Sequence, residues 1–165
     1  MQPVIDLFIA TAPDPVLISA ADLHGRAFEK GWSRQSLEEL LATPGCAMAT
    51  IRTDDAVVGF IVFRGAGSEA EIITLAVAPD CRRQGLAGLL VEDLLDWARR
   101  SRIELLHLEV ACDNAPALAL YEKLGFTETA RRQNYYKTKN SLGQTVSRDA
   151  VCMSLNVKNV VTPGS

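Results

Sequence analysis

The sequence predicts a mixed α/β domain in which one central sheet of about seven strands is flanked by about four helices. Three observations point there. Strand-like runs over 46–52, 57–64 and 69–77 follow one another with only short turn signals between them, as in an antiparallel meander. An amphipathic segment over 85–100 then turns the pattern to helical spacing. Beyond it a strand, a helix and two more strands require helical crossovers on an otherwise antiparallel sheet.

Val4 to Ile9 reads as the first strand, punctuated by Pro13 and Pro15. Val16 to Phe28 has helical spacing through Leu17, Ala20, Ala21, Leu23 and His24. Trp32-Ser33 opens a second helix, with Ser33 as N-cap, Leu37, Leu40 and Leu41 on its apolar face, and Pro44-Gly45 as its end. Asp54-Asp55 and Gly65-Ala66-Gly67 separate the three meander strands. In the helix from Gly85 to Arg100, Leu86, Leu89, Leu90, Leu94 and Trp97 form a stripe, and Arg99-Arg100 suit the negative end of its dipole. A strand from Glu104 to Val110, a helix from Pro116 to Leu124 ended by Gly125, and strands over 126–136 and 148–157 complete the order.

A chain of 165 residues is the length of one domain, assigned here to 1–157, with 158–165 expected as a flexible tail. Hydrophobic residues at 48% and charged residues at 22% are the balance of an ordinary globular protein. A net charge of −3 argues against direct nucleic-acid binding through phosphate contacts. No uncharged stretch reaches membrane-spanning length, and Met1 to Asp6 lacks a basic segment leading into an apolar run, so neither a membrane nor a secretory signal is expected. Cys46, Cys81, Cys112 and Cys152 are far apart, with no CxxC pair and no histidine cluster, so no metal site or disulfide framework is expected. Free thiols suit a reducing cytoplasm. Oligomeric state is left open.

Chemistry concentrates in Leu75-Ala76-Val77-Ala78-Pro79-Asp80-Cys81-Arg82-Arg83-Gln84-Gly85-Leu86-Ala87-Gly88. An apolar strand enters a Pro-Asp turn, then a basic glycine-bearing loop, then a helix N-terminus. Gly85 and Gly88 clear side chains from the backbone, and the N–H groups of the first helical turn point outward for an anion. That suits a phosphate-bearing cofactor. No lysine follows as in a Walker loop, and the GxGxxG of a dinucleotide site is incomplete. Taken alone, the loop also fits a tight strand–helix turn without a ligand.

This loop resembles the acetyl-CoA pyrophosphate loop of the GCN5-related acetyltransferases, [QR]-x-x-G-x-[GA], met by Arg82, Gly85 and Ala87. Leu108-Glu109-Val110, then Asp113-Asn114, then Ala119-Leu120-Tyr121-Glu122-Lys123-Leu124-Gly125-Phe126 match that family in order and spacing. Arg131-Arg132-Gln133-Asn134-Tyr135-Tyr136 and Asp149-Ala150-Val151-Cys152-Met153 resemble the RRxNYY and DAxxM segments of the RimI-type ribosomal-protein alanine acetyltransferases, and Trp32-Ser33 fits them too. The likeness runs from about Ala27 to Leu155. Two departures bear on the acceptor: His107 stands where tryptophan is common, and Asn140 to Ser147 is longer than a simple turn.

The resemblance implies roles. Glu109 would be the general base, acting through water; it shares a strand face with Leu105 and His107, and the alternative is a solvated charge at a strand end. Tyr121 would be the general acid that protonates the coenzyme A thiolate; the alternative is a core aromatic at helical spacing with Ala117, Leu120 and Leu124. Arg82, Arg83, Gln84, Gly85, Leu86, Ala87 and Gly88 would wrap the pyrophosphate. The backbone of Leu75, Ala76 and Val77 would pair with the pantetheine arm, one N–H holding the thioester oxygen. Asn114 would cap its helix, with Pro116 in the first turn, and hydrogen-bond the cofactor. Tyr135 and Tyr136 would shape the acceptor groove or merely pack, whereas His24 and His107 read as structural, His107 with an acceptor contact as the alternative.

The implied acceptor is the α-amine of a protein, an alanine of a small-subunit ribosomal protein, and the implied cosubstrate is acetyl-CoA. Neutralising an α-amine of pKa about 7.7–8.0 costs on the order of 1 kcal/mol at neutral pH, within reach of a weak base. Three alternatives stay open: an enzyme of the same fold acting on lysine or a small amine, a non-catalytic acetyl-CoA-binding module, and an interaction domain. The last two need neither Glu109 nor Tyr121.

Overall fold

A computed structural model describes residues 3–54 and 56–160. Its elements are β1 (Val4–Ile9), α1 (Asp14–Ala27), α2 (Arg34–Leu41), β2 (Cys46–Thr53), β3 (Ala56–Ala66), β4 (Glu69–Val77), α3 (Leu86–Arg100), β5 (Leu105–Ala111), α4 (Ala115–Lys123), β6 (Thr127–Lys139) and β7 (Thr145–Asn156). Seven strands form one sheet in the order β1-β2-β3-β4-β5-β7-β6, so the mixed α/β expectation holds. All pairings are antiparallel except β4 with β5.

Local chemistry explains most boundaries. The Ser33 hydroxyl accepts from the Ser36 N–H at 3.0 Å and starts α2, while Asn114 Oδ1 accepts from the Ala117 N–H at 3.3 Å and starts α4. Helix α1 begins at Asp14 rather than Val16, because Pro15 suits a first turn whose N–H groups have no helical partner. Leu86, Leu90, Val91, Leu94, Leu95 and Ala98 are the buried stripe of α3. Burial of each leucine contributes about 1.5–3 kcal/mol. Leu89, expected on that stripe, is 37% exposed because it lies beside the stripe rather than on it.

Each sheet face has its own helices. Leu17, Leu23, Leu37 and Leu41 of α1 and α2 pack on Met48, Phe60, Val62 and Ala76. On the other face α3 packs with Ile61, Phe63, Ile72, Leu106, Leu108, Val151 and Met153. The α1–α2 cover rests chiefly on β2, β3 and β4. Since Leu106, Leu108, Val151 and Met153 point to α3, the alternate residues His107, Glu109, Cys152 and Ser154 point to the side that α1 and α2 leave open.

The sheet also splits. Parallel pairing of β4 with β5 spans only Glu69–Ile72 against Leu105–Leu108. At the next residue the β3–β4 register steps from Phe63↔Ile72 to Val62↔Thr74, which leaves Ile73 as a bulge. A bulge bends its strand and increases the local twist. Thr74–Val77 therefore lie beyond the β4–β5 pairing, whereas Glu109–Ala111 stay paired with β7.

The last hairpin corrects an expected loop. Instead of 140–147 it occupies 140–144, because Lys137, Thr138 and Lys139 pair with Ser147, Val146 and Thr145. Asn140 Oδ1 closes it by accepting from the N–H groups of Leu142 and Gln144, each at 3.0 Å. Of the residues expected as a tail, Lys158 and Asn159 lie in a 3-10 turn and Val160 packs against the core. Asp55 of the expected Asp54-Asp55 turn, Met1, Gln2 and 161–165 lie outside the described residues. Among the described residues no helix is long and apolar enough to cross a membrane.

Candidate active site

After β4 the chain makes a 3-10 turn over Pro79–Cys81 and reaches α3 through Arg82, Arg83, Gln84 and Gly85. Arg83 (φ +63°) and Gly85 (φ +81°) are both left-handed. Gly85 is the N-cap, and its carbonyl accepts from the Leu89 N–H at 3.1 Å. Among the described residues, no protein group accepts from the N–H groups of Gly85, Leu86, Ala87 or Gly88. Successive N–H groups gathered at a helix N-terminus form an anion nest. A Cβ added at Gly85 would meet nothing within 4 Å, and one at Gly88 would meet only Leu120 Cδ1 at 3.9 Å. Protein packing therefore leaves the space above this turn open, and its donors fit a pyrophosphate. Arg82, Arg83 and Gln84 are exposed around it, and Arg82 Nε donates to the Val77 carbonyl at 3.4 Å.

The gap beside β4 adjoins this nest. The Ala78 N–H donates to the Val58 carbonyl at 2.8 Å. With two-residue alternation, the polar groups of Ala76 also face β3, while those of Leu75 and Val77 face the gap. Of the expected trio, Leu75 and Val77 offer backbone to an added strand. Ala76 does not, because its hydrogen bonds belong to the β3 ladder.

Glu109 lies on β5 at the open side of the split, opposite Cys152, whose Sγ is 3.8 Å from Oε1. Arg132 Nε reaches the same Oε1 at 3.0 Å; the glutamate side chain is 20% exposed and the arginine 56%. Tyr136 lies near both. Burial pushes its phenol pKa up, and the charge of Glu109 pushes the same way. Tyr121, at the buried side of α4, sets its ring edge-on to Phe126 at 5.6 Å. Burial, with a smaller effect of Tyr136, pushes the Tyr121 phenol up to about 12, so it remains a proton donor at neutral pH. Its hydroxyl has no hydrogen-bond partner among the described residues. Asn114 is exposed at the start of α4, where its side-chain oxygen caps the helix.

Strand β6 bends around this group. Arg132 pairs with Ala150 and Tyr136 with Arg148, so Gln133, Asn134 and Tyr135 together stand opposite Asp149 alone. Asn134 is left-handed (φ +53°), and its N–H donates to the Asp149 carboxylate at 2.9 Å. Tyr135 is 49% exposed, edge-on to Tyr136 at 5.2 Å and beneath the Arg132 guanidinium, also at 5.2 Å. Further along, Thr138 Oγ1 and the Lys139 N–H donate to the Glu29 carboxylate, which ties the hairpin to the segment after α1.

His107 is held between Ser154 Oγ (2.8 Å, to Nδ1) and Glu69 Oε2 (3.1 Å, to Nε2). It shares with Glu109, Arg132, Glu69, Glu71 and Cys152 an open cleft of about 400 Å³. His24 stands apart, on the buried side of α1. Arg132 and Asp149 stand in the segments that carry the resemblance, but sequence reasoning gave neither a role. A cation in the RRxNYY segment was the available signal for Arg132, and the left-handed tendency of asparagine the signal for the bulge.

The profile of the acetyltransferase (GNAT) family matches residues 17–126. The ribosomal protein bS18-alanine N-acetyltransferase of Salmonella typhimurium is 37% identical over 107 residues, which cover 65% of this chain and 69% of that one. The N-alpha-acetyltransferase RimI of Mycobacterium tuberculosis is 30% identical over 136 residues, covering 79% and 84%. The crystal structure of the ribosomal-protein-S18-alanine N-acetyltransferase from Escherichia coli superposes with a TM-score of 0.82 at 28% identity, covering 98% of this chain and all of that one.

Proposed function

The chain belongs to the acetyltransferase (GNAT) family and is an acetyl-CoA-dependent N-acetyltransferase, and from that premise we propose that its acceptor is the N-terminal α-amine of a protein, an alanine of a small-subunit ribosomal protein. The names of the Salmonella and Escherichia relatives support this acceptor. The observation that carries the chemistry is the position of Glu109 at the edge of the split between β4 and β5, on the uncovered face.

Acetyl-CoA supplies an activated acetyl group as a thioester. Its pyrophosphate suits the N–H groups of Gly85, Leu86, Ala87 and Gly88, with Arg82, Arg83 and Gln84 around it. Its pantetheine arm suits the edge of β4 at Leu75 and Val77, and an N–H there suits the thioester oxygen as charge develops on it. Asn114 borders this path from α4.

Glu109 takes the proton that the amine gives up, directly or through water. As the C–N bond forms and the C–S bond breaks, Tyr121 protonates the departing thiolate. Tyr121 arrives with its proton in place at neutral pH, and burial, which raises its phenol to about 12, makes it a weaker acid than a free tyrosine. A weak base suffices because an α-amine of pKa about 7.7–8.0 is already partly neutral near pH 7. Tyr135, Tyr136 and His107 line the approach on the acceptor side. Such an acceptor places the reaction in the cytoplasm.

The test is to incubate the enzyme and isotope-labelled acetyl-CoA with the proteins of a small ribosomal subunit. The expected result is label on the N-terminal alanine of one protein, lost when α-amines are blocked beforehand. Label confined to lysine side chains refutes the acceptor assignment.

A further inference from the structure

We propose that Arg132 is a placeholder for the acceptor's ammonium group: it neutralises Glu109 before the acceptor binds and yields that position to the incoming amine. The inference rests on the reading of Glu109 as the base.

Three observations support it. The guanidinium sits 3.0 Å from Glu109 Oε1, where a bound ammonium would stand. A guanidinium held at that oxygen competes with an incoming ammonium for the same carboxylate, so acceptor binding loosens the contact. The pair is lopsided, with the carboxylate 20% and the guanidinium 56% exposed. Glu109 therefore needs a counter-charge more than Arg132 does. Finally, Arg132 has somewhere else to go. Its guanidinium already lies over the Tyr135 ring at 5.2 Å, a contact that does not involve Glu109. Tyr135 is held there by the bulge that Asn134 and Asp149 pin at 2.9 Å.

The exchange also conserves charge. One cation leaves the carboxylate as another arrives, so Glu109 never stands unpaired in the cleft. Of the other acidic groups in the cleft, Glu69 is hydrogen-bonded to His107 and Glu71 lies 3.9 Å from Arg64. Because one side of the pair is mostly exposed, the contact is weak, and the penalty on acceptor binding is of the order of a two- to fivefold change in affinity. That is enough to measure and small enough to permit turnover.

The test is a double-mutant cycle, read with whichever amine the wild type acetylates fastest, whether an α-amine peptide, a lysine peptide or a polyamine. Arg132→Gln should lower the acceptor KM about two- to fivefold, with kcat within about twofold and the acetyl-CoA KM unchanged. Arg132→Lys keeps a cation and should restore a KM close to wild type. Calorimetry on the coenzyme A complex should show the same tightening with Arg132→Gln, and no further change from that substitution when Glu109 is already Gln. A raised KM, or a lowered kcat at unchanged KM, overturns the placeholder and makes Arg132 an acceptor contact or part of the chemistry. If lysine is the preferred amine, the α-amine reading fails while the cycle still decides the role of Arg132; acetylation of no amine overturns both.

Discussion

Glu109 and Cys152 face each other across the β5–β7 ladder, with the thiol sulfur 3.8 Å from the carboxylate. Cys152 is a small neighbour, and both residues line the same open cleft. Glu109→Gln keeps the shape and removes the proposed proton acceptor. We expect kcat to fall by about 10²–10⁴ at neutral pH, and the loss to shrink at high pH as the amine deprotonates unaided. A pH–rate profile of wild type and variant checks both parts.

Tyr121→Phe should lower kcat by about 10² or more while leaving acetyl-CoA affinity unchanged by calorimetry. The ring is buried and packed on Phe126, so the phenylalanine retains its packing. With a thioester whose thiol is more acidic, the leaving group needs less protonation and the gap to wild type should narrow. An equal loss with both thioesters removes Tyr121 from proton donation.

Gly85→Glu should abolish the rise in melting temperature that acetyl-CoA confers on the wild type. The new side chain has room, since a Cβ there meets nothing within 4 Å, but its carboxylate enters the anion nest. Gly85→Ala isolates the backbone effect: at φ +81° it should cost roughly 1–2 kcal/mol of stability and weaken binding less than glutamate does. Thermal shift with and without acetyl-CoA separates the two.

His24 predicts a pH dependence of stability. Its ring lies between Phe28 (4.4 Å) and Trp32 (4.5 Å), and Nδ1 accepts from the Trp32 N–H at 3.2 Å. Burial lowers its pKa below the ordinary 6.5. As pH falls through 6.5 the unfolded chain takes up a proton and the folded protein does not, so this contribution is complete above 6.5 and is lost on acidification. The wild-type melting temperature should drop between about pH 7 and pH 5 more steeply than that of His24→Gln. Parallel curves would show that His24 is not the group responsible.

Much of this arrangement was legible in the residues. Val4–Ile9 and Glu69–Val77 have the bounds expected of them, because each is a β-branched run closed by strong punctuation. Ser33 and Asn114 cap the helices they were expected to cap. The extra length of β6 and β7 was hidden because Lys137–Lys139 and Thr145–Ser147 are polar apart from Val146 and show their strand character only as a pair. The split at Ile73 was also invisible, since a bulge among alternating apolar residues carries no mark of its own. Arg132 meets Glu109 only after β7 has been laid between β5 and β6, a relation set by two registers rather than by local spacing.

The most direct measurement uses one peptide that carries both a free N-terminal alanine and an internal lysine. After incubation with enzyme and acetyl-CoA, fragmentation mass spectrometry locates the acetyl group. At neutral pH the pKa gap of about 2.4 between the amines leaves roughly 250-fold less neutral lysine, and Glu109 faces an open cleft. The account predicts a single acetyl group on the α-nitrogen and a product that forms far more slowly once that nitrogen is blocked. Acetyl found chiefly on the lysine side chain, at an undiminished rate with the α-amine blocked, would contradict it.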